Sequence, residues 1–331
     1  MTTLRDVAIL AGVSIRTVSN VVNGYVNVAE GTRQKVQAAV DELGYTPNLL
    51  ARSLKQGRSK LVALVVPRLT NPYFAELTSA IVDEGARRGY TVMVDQTGGD
   101  RDREAATIQR ITQNVHFDGL FISPLGLSTH EVHGMRQARP LVLLGEDAHP
   151  QMDHVLIDNE AAAWEATHHL LGFGRTRIVA VGSAPRTTHE TSRVRYAGFR
   201  RALAEFGLPD DAGDFVTVPR FTRALGEQAM DEIERRGLRP DGIFYFSDVL
   251  AVGLLTRARE LGYSIPGDIA VVGFDDIDEA RYAAVPPSPD REWIARRAFD
   301  ILLQRLDDPT GPFHREFGPW RLQVRESTAG P

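Results

Sequence analysis

The chain contains no cysteine. That excludes disulfides, thiolate catalysis and Cys-based zinc or iron–sulfur sites, and leaves the redox compartment open. No apolar run approaches the roughly 20 residues that span a bilayer. The N-terminus lacks a basic segment leading into an apolar stretch, so no secretory signal is expected and the cytoplasm is the expected compartment. Catalytic signatures are missing as well. H-E-V-H at 130–133 lacks the i, i+4 histidine spacing of a zinc-protease helix. His168 and His169 are neighbours in a helical stretch, W-E-A-T-H-H-L-L, where adjacent residues point to different faces. G-F-G-R at 172–175 is too short for a dinucleotide fingerprint and precedes a strand, and there is neither a P-loop nor a G-x-S-x-G. No catalytic residue, metal ligand or cofactor is expected.

What is present changes character near residue 60. Residues 1–60 hold eight Lys/Arg and four Asp/Glu, a net of +4, so the remainder carries −9 of a total of −5. A basic head on an acidic body suits contact with a polyanion, although charge alone decides little on so short a segment. Thr3 can cap a helix whose apolar face is Leu4, Val7, Ala8 and Ala11. Gly12 allows a sharp turn, and Ser14 can cap a second helix that buries Val18, Val21 and Val22. Ile15, Arg16, Thr17, Ser19 and Asn20 then occupy its outer face and N-terminal end. Two short helices across a glycine turn are the layout of a helix-turn-helix, whose second helix enters the major groove. A third helix, about Glu30 to Leu43 with Gly44 at its cap, closes a small core. A helical bundle without a nucleic-acid partner shares the same pattern.

Pro47 biases Tyr45 and Thr46 towards extended geometry, and Asn48 can cap a short helix from Leu49 to Gln56 that Gly57 stops. So short a helix is marginal alone in water. The segment either orders on a partner or is a linker. Its leucines are suited to wedging between base steps in the minor groove, and Arg52, Lys55 and Arg58 are available to phosphates.

From residue 61 strands and helices alternate. Apolar runs at 61–67, 90–95, 118–124, 140–145 and 154–158 make one set, and runs at 177–182, 214–218, 241–246 and 269–275 make a second. Runs buried on both faces, each followed by a helix, predict parallel sheets. Two sets predict two lobes with a ligand cleft at the carboxyl ends of their strands.

The string T-L-R-D-V-A-I-L-A-G-V-S-I-R-T-V-S-N-V-V-N-G, followed by T-R-Q-K-V, L-G-Y-T-P-N and A-R-S-L-K-Q-G-R-S, resembles the LacI/GalR family of bacterial transcriptional regulators, and the likeness runs from residue 3 to about 328. It implies an all-α helix-turn-helix head at 1–46, a hinge helix at 47–60 and, at 61–331, an α/β two-lobed sensor like a periplasmic sugar-binding protein. Lobe 1 is expected over about 61–158 and 288–316, and lobe 2 over about 159–287 and 317–329, with the last strand, W-R-L-Q-V-R-E-S-T, joining lobe 2. The family binds near-palindromic operator DNA as a homodimer. By the resemblance Ile15, Arg16 and Asn20 read bases, Leu54 is the wedge, and Arg5, Ser14, Thr17, Ser19, Asn23, Arg52 and Lys55 complete the DNA contacts. Asn20 departs from the family's usual arginine. Asparagine favours adenine where arginine favours guanine, so the operator is expected to differ at that base.

The resemblance also implies a small-molecule effector, a sugar or sugar derivative, between the lobes. Tyr73 and Phe74 would stack on its ring, with Phe221 as the second-lobe aromatic. Asp158, Arg193, Arg195, Ser247, Asp248 and Asp275 would meet its hydroxyls, and for each acid capping a following helix is the competing role. Two departures stand out. Ser247 replaces the usual Asn, and P-P-S-P-D-R-E-W-I-A-R-R-A is about four residues shorter than the family's third crossover. Trp293 within it either stacks on a ligand or packs beneath it. The expected function is a repressor of a carbohydrate-utilisation operon. The rival, a free sugar-binding protein, needs export, whereas this chain opens on a DNA-binding pattern.

Overall fold

The computed structural model describes residues 2–22, 25, 28–45, 58–114, 116–135, 139–145, 149–183, 190–209, 215–279 and 286–328, with Glu190 by its backbone alone. The chain divides into two compact units, Met1–Ser59 and Lys60–Pro331. Asn23, Arg52, Leu54 and Lys55 lie outside the described residues.

In the first unit, α1 (Leu4–Ala11), α2 (Ile15–Val22) and α3 (Glu30–Glu42) enclose Val7, Ala8, Val18, Val21, Val36 and Ala39. The entry to α1 is a capping box, in which the Asp6 carboxylate accepts from the Thr3 amide at 2.8 Å and the Thr3 hydroxyl accepts from the Asp6 amide. Gly12 ends α1 at φ 65°, a backbone state that costs glycine nothing and lets α2 begin after two residues. The Ser14 hydroxyl accepts from the Thr17 amide at 3.1 Å and starts α2.

The second unit opens with β1 (Leu61–Val66), α4 (Pro72–Arg87), β2 (Thr91–Gln96), α5 (Arg101–Thr112), β3 (Gly119–Ile122), α6 (Thr129–Gly134), β4 (Leu141–Leu144) and β5 (Asp153–Leu156). It continues with α7 (Asn159–Gly172), β6 (Ile178–Gly182), α8 (Glu190–Glu205), β7 (Phe215–Thr217), α9 (Arg223–Arg235), β8 (Gly242–Tyr245), α10 (Asp248–Glu260) and β9 (Ala270–Val272). The chain closes with β10 (Pro287–Pro289), α11 (Arg291–Asp307), β11 (Arg315–Phe317) and β12 (Trp320–Leu322). One parallel sheet has the order β11-β5-β4-β3-β1-β2, and the other β7-β6-β8-β9. Helices cover both faces, which is why the strands read as continuous apolar runs rather than alternating ones. Edge strand β2 is the exception, with Met93 and Val94 exposed.

After the second sheet the chain returns to the first. Phe299 of α11 packs edge-on against Phe121 at 4.9 Å between ring centroids, and Arg305 makes a two-pronged contact of 2.8 and 3.1 Å with the buried Asp153 carboxylate of β5. β11 then pairs with β5 at the edge of the first sheet. The final strand, expected in lobe 2, packs against α7 of that lobe without entering the second sheet. β12 pairs antiparallel with β10 in a separate two-stranded ribbon, Pro287 opposite Leu322 and Pro289 opposite Trp320. Prolines donate no ladder hydrogen bond, so β10 cannot be an interior strand and forms an isolated ribbon instead. The ribbon lies against α7 of the second lobe, and beyond β12 the Ser327 hydroxyl donates to the Val271 carbonyl of β9 at 2.9 Å. Among the described residues no helix is long and apolar enough to cross a membrane.

A candidate effector cleft and a candidate DNA-reading helix

The two sheets point their carboxyl ends at a common cavity of about 470 Å³. Every strand of the second sheet, and all of the first except β11, is followed by a lining residue: Arg68 after β1, Gly98 after β2, Ser123 after β3, Gly145 after β4 and Ile157 after β5. Across from them lie Ser183, Phe221, Ser247 and Asp275. Strand ends gather here because each parallel strand must give way to a crossover at the same edge, leaving backbone and side chains unpaired by the sheet.

Asn71 caps α4, its side-chain oxygen accepting from the Tyr73 amide at 3.0 Å, and Pro72 sits in the first turn. This start holds Tyr73 and Phe74 at the cavity as an edge-to-face pair, 5.2 Å between centroids. Opposite them Arg195 is buried on α8 with its guanidinium carbon over the Phe274 ring, 3.5 Å from the centroid. Its Nε donates to Asn159 at 2.9 Å, Nη1 donates to the Phe246 carbonyl, and Nη2 lies 3.7 Å from the Asp275 carboxylate. The Ser247 hydroxyl donates to the other Asp275 oxygen at 2.9 Å. Burial pushes the Asp275 carboxyl above its usual range, and Arg195 and Ser247 pull it part of the way back.

The cleft therefore brings together Tyr73, Phe74, Arg195, Phe221, Ser247 and Asp275. Three expected contacts lie elsewhere. Asp158 is exposed and caps α7, accepting from the Ala161 amide at 2.9 Å. Arg193 is exposed on α8, two residues from Arg195 on a helix, which turns it to another face. Asp248 is wholly buried behind the cavity wall, where one oxygen accepts from the Ile277 amide at 3.1 Å. Burial and the neighbouring Asp275 push its carboxyl well above the usual range. Trp293 does not line the cavity and packs beside Gly318.

Sequence reading left out Arg68, Asn71, Ser123, Asn159 and Arg220, all of which line the cleft. Arg68 and Ser123 directly follow apolar runs, the one signal that could have found them. It also left out Glu104. This buried carboxylate accepts from the Leu125, Gly126 and Leu127 amides, each at 2.9 Å, and so fixes the loop after β3 that forms one wall. A Cβ at Gly126 would fall 2.5 Å from the Arg101 backbone nitrogen, so only glycine lets this loop approach α5.

In the first unit Ile15 and Arg16 stand exposed at the start of α2, Ile15 at 49% of its surface, and Arg5 is exposed on α1. Ser14 is exposed, and Thr17, Ser19 and Asn20 are half-buried along the same helix.

Residues 3–48 match the model of bacterial regulatory proteins of the lacI family, and residues 167–328 match a periplasmic binding protein-like domain. Over 315 residues, 93% of each chain, the sequence is 34% identical to the HTH-type transcriptional repressor PurR of Vibrio parahaemolyticus. The chain belongs to the LacI family. A LacI-family transcriptional regulator of Sanguibacter keddieii is 38% identical and superposes with a TM-score of 0.74 over 82% of this chain and 100% of that one. The transcriptional regulator CelR in complex with cellobiose is 29% identical, with a TM-score of 0.72 over 99% and 100%. As a LacI-family protein the chain is a DNA-binding transcriptional regulator with an effector-binding domain, and not an enzyme.

Proposed function

We propose that this LacI-family protein is a homodimeric repressor of a carbohydrate-utilisation operon, released from or fixed on its operator by a sugar or sugar derivative in the cleft. The head, hinge and sensor divide at 1–46, 47–60 and 61–331. Ile15, Arg16 and Asn20 read bases, Leu54 wedges the minor groove, and the protein acts in the cytoplasm, where its DNA is. The observation that carries the effector class is the Arg195–Asp275–Ser247 group facing Tyr73, Phe74 and Phe221. A guanidinium beside a carboxylate matches vicinal hydroxyls in both donor and acceptor sense. Aromatic rings suit the apolar face of a pyranose. Support also comes from the cellobiose complex of CelR, which shares the architecture at 29% identity. Among the described lining residues Arg68, Arg195 and Arg220 face a single acid, Asp275, and this excess favours a sugar bearing an acidic or phosphorylated group.

The test is a thermal-shift and calorimetric screen of the full chain against neutral sugars, sugar acids, sugar phosphates and a purine base. Gel shifts on the gene's upstream DNA follow, with and without each hit. Saturable binding of a sugar or derivative that changes operator affinity is expected. Binding of the purine alone, or no effect on DNA affinity, overturns the reading. Asp275→Ala is expected to abolish the ligand response while DNA binding persists, because truncation leaves Arg195 and Ser247 without their partner, at roughly 1–3 kcal/mol. Undiminished ligand affinity in that variant removes Asp275 from the site.

A further inference from the structure

The third crossover carries an arginine at the junction of the lobes. Arg291, the first residue of α11, follows β10 by one residue. Its Nη2 donates to two consecutive carbonyls of the loop after β9, Asp275 at 2.5 Å and Asp276 at 2.9 Å. The same nitrogen lies 3.0 Å from the Glu76 carboxylate on α4 of the first lobe. The other Glu76 oxygen accepts from the Asp278 amide of the second lobe at 3.3 Å. The guanidinium also sits 5.7 Å from the ring centroid of Tyr73, one helical turn before Glu76. Its side chain is 15% exposed and that of Glu76 32%, so the ion pair is partly shielded from water.

The loop it holds is strained. Asp275 has φ 104° and Asp276 φ 56°, two consecutive side-chain-bearing residues in a region that glycine favours. Such a backbone persists only when its surroundings over-determine it, and such strain concentrates at switches. Here the surroundings are Arg291 on both carbonyls and the ion pair of Asp276 with Arg325.

We propose that Arg291 is the positioning residue through which the state of the Asp275 carboxylate in the cleft is passed to α4 of the first lobe. The proposal rests on reading the cleft as the effector site. A ligand hydroxyl on Asp275 competes with Ser247 and Arg195 and moves the 275–276 turn. Because both carbonyls of that turn hang on one guanidinium, the shift reaches Glu76 and, through it, α4. All three contacts are made by the one terminal nitrogen, and a lysine at 291 keeps the charge on a stem one bond shorter, so its ammonium falls short of the point from which Nη2 reaches both carbonyls and Glu76.

The absence of cysteine allows a test that needs neither ligand nor DNA. Asp102→Cys on α5 and Gln228→Cys on α9, both exposed positions, carry spin labels in the full chain diluted with unlabelled copies. The lobe–lobe distance distribution is then measured by pulsed electron resonance and Asp278 amide exchange by mass spectrometry. Arg291→Lys and Glu76→Gln are each expected to broaden the distribution and to speed that exchange about tenfold, the effect of one lost charge-assisted hydrogen bond. Glu76→Gln is nearly isosteric and decides the matter if Arg291→Lys does not fold. Asp275→Asn, which alters the carboxylate from within the cleft, is expected to change the distribution in the parent chain but not in the Arg291→Lys background. An additive effect of Asp275→Asn in both backgrounds, or unchanged distributions in the single variants, overturns the proposal. Neither result bears on which ligand binds, so the sugar screen and this experiment fail independently.

Discussion

Three acids at strand ends were each candidates for the cleft or for a helix cap, the cap weighing most for Asp158, and their surroundings separate them. Asp275 faces the cleft, Asp158 caps a helix in water, and Asp248 is enclosed. Each stands at the end of an apolar run; the cap of α7 takes Asp158, and the packing of the loop after β9 over α10 separates Asp275 from Asp248. The raised carboxyl of Asp248 has a consequence for stability. Its folded state holds a proton that the unfolded chain releases near pH 4, so its stabilising contribution is complete below that pH and is lost as pH rises. Asp275 acts in the same direction. Asp248→Asn keeps the acceptor for Ile277 and should flatten the decline of melting temperature from pH 4 towards neutrality, and calorimetry across that range would show it. Glu104 has the opposite kind of importance, since three loop amides depend on it. Glu104→Ala should destabilise the chain by roughly 1–3 kcal/mol in urea titrations, because buried donors lose their acceptor.

Among elements, the regular ones were legible. Helical periodicity marked α1 to α3, and unbroken apolar runs marked nine parallel strands, because both signals are local and repeat along the chain. Pairing was less legible. W-R-L-Q-V reads as a strand, and β12 is one, but its partner is the proline-bearing β10 and not the second sheet. Choice of partner depends on where a distant segment runs, and no local pattern in either strand records it. The segment around Leu54 carries a prediction at this scale. If a conditional hinge helix places Leu54 in the minor groove, Leu54→Ala should weaken operator binding in gel shifts and leave effector affinity by calorimetry unchanged. An equal loss of both would count against the wedge.

For the whole molecule, the proposed homodimer can be tested at one exposed apolar face. Val82 on α4 and Val94 on edge strand β2 are both exposed, Val94 on the same side of the strand as Val92, which packs at Gly85 of α4, and an exposed edge strand invites a partner. Val94→Glu puts a charge into that surface. Sedimentation should show the variant shifted from dimer towards monomer, with weaker operator binding because two heads no longer act on one site. Unchanged sedimentation would place the dimer contact elsewhere. This face lies on the helix that Glu76 and Arg291 reach, so effector state and subunit contact would share one element.

Sequence alone determined that a helix-turn-helix pattern precedes an α/β body with two sets of strands, because caps, glycine turns and hydrophobic period are encoded within a few residues of one another. It also marked Tyr73, Phe74, Arg195, Phe221, Ser247 and Asp275, which tertiary structure gathered at one cavity. Only the tertiary structure decided that Asp158 and Asp248 stand away from it, that Glu104 fixes one wall, and that Arg291 ties the cleft to the first lobe. Those facts rest on contacts such as that of Glu76 with Asp278, 202 positions apart, which no local pattern records. Burial and the meeting of distant charges set the chemistry of the cleft, and both come into being only when the two lobes fold against each other.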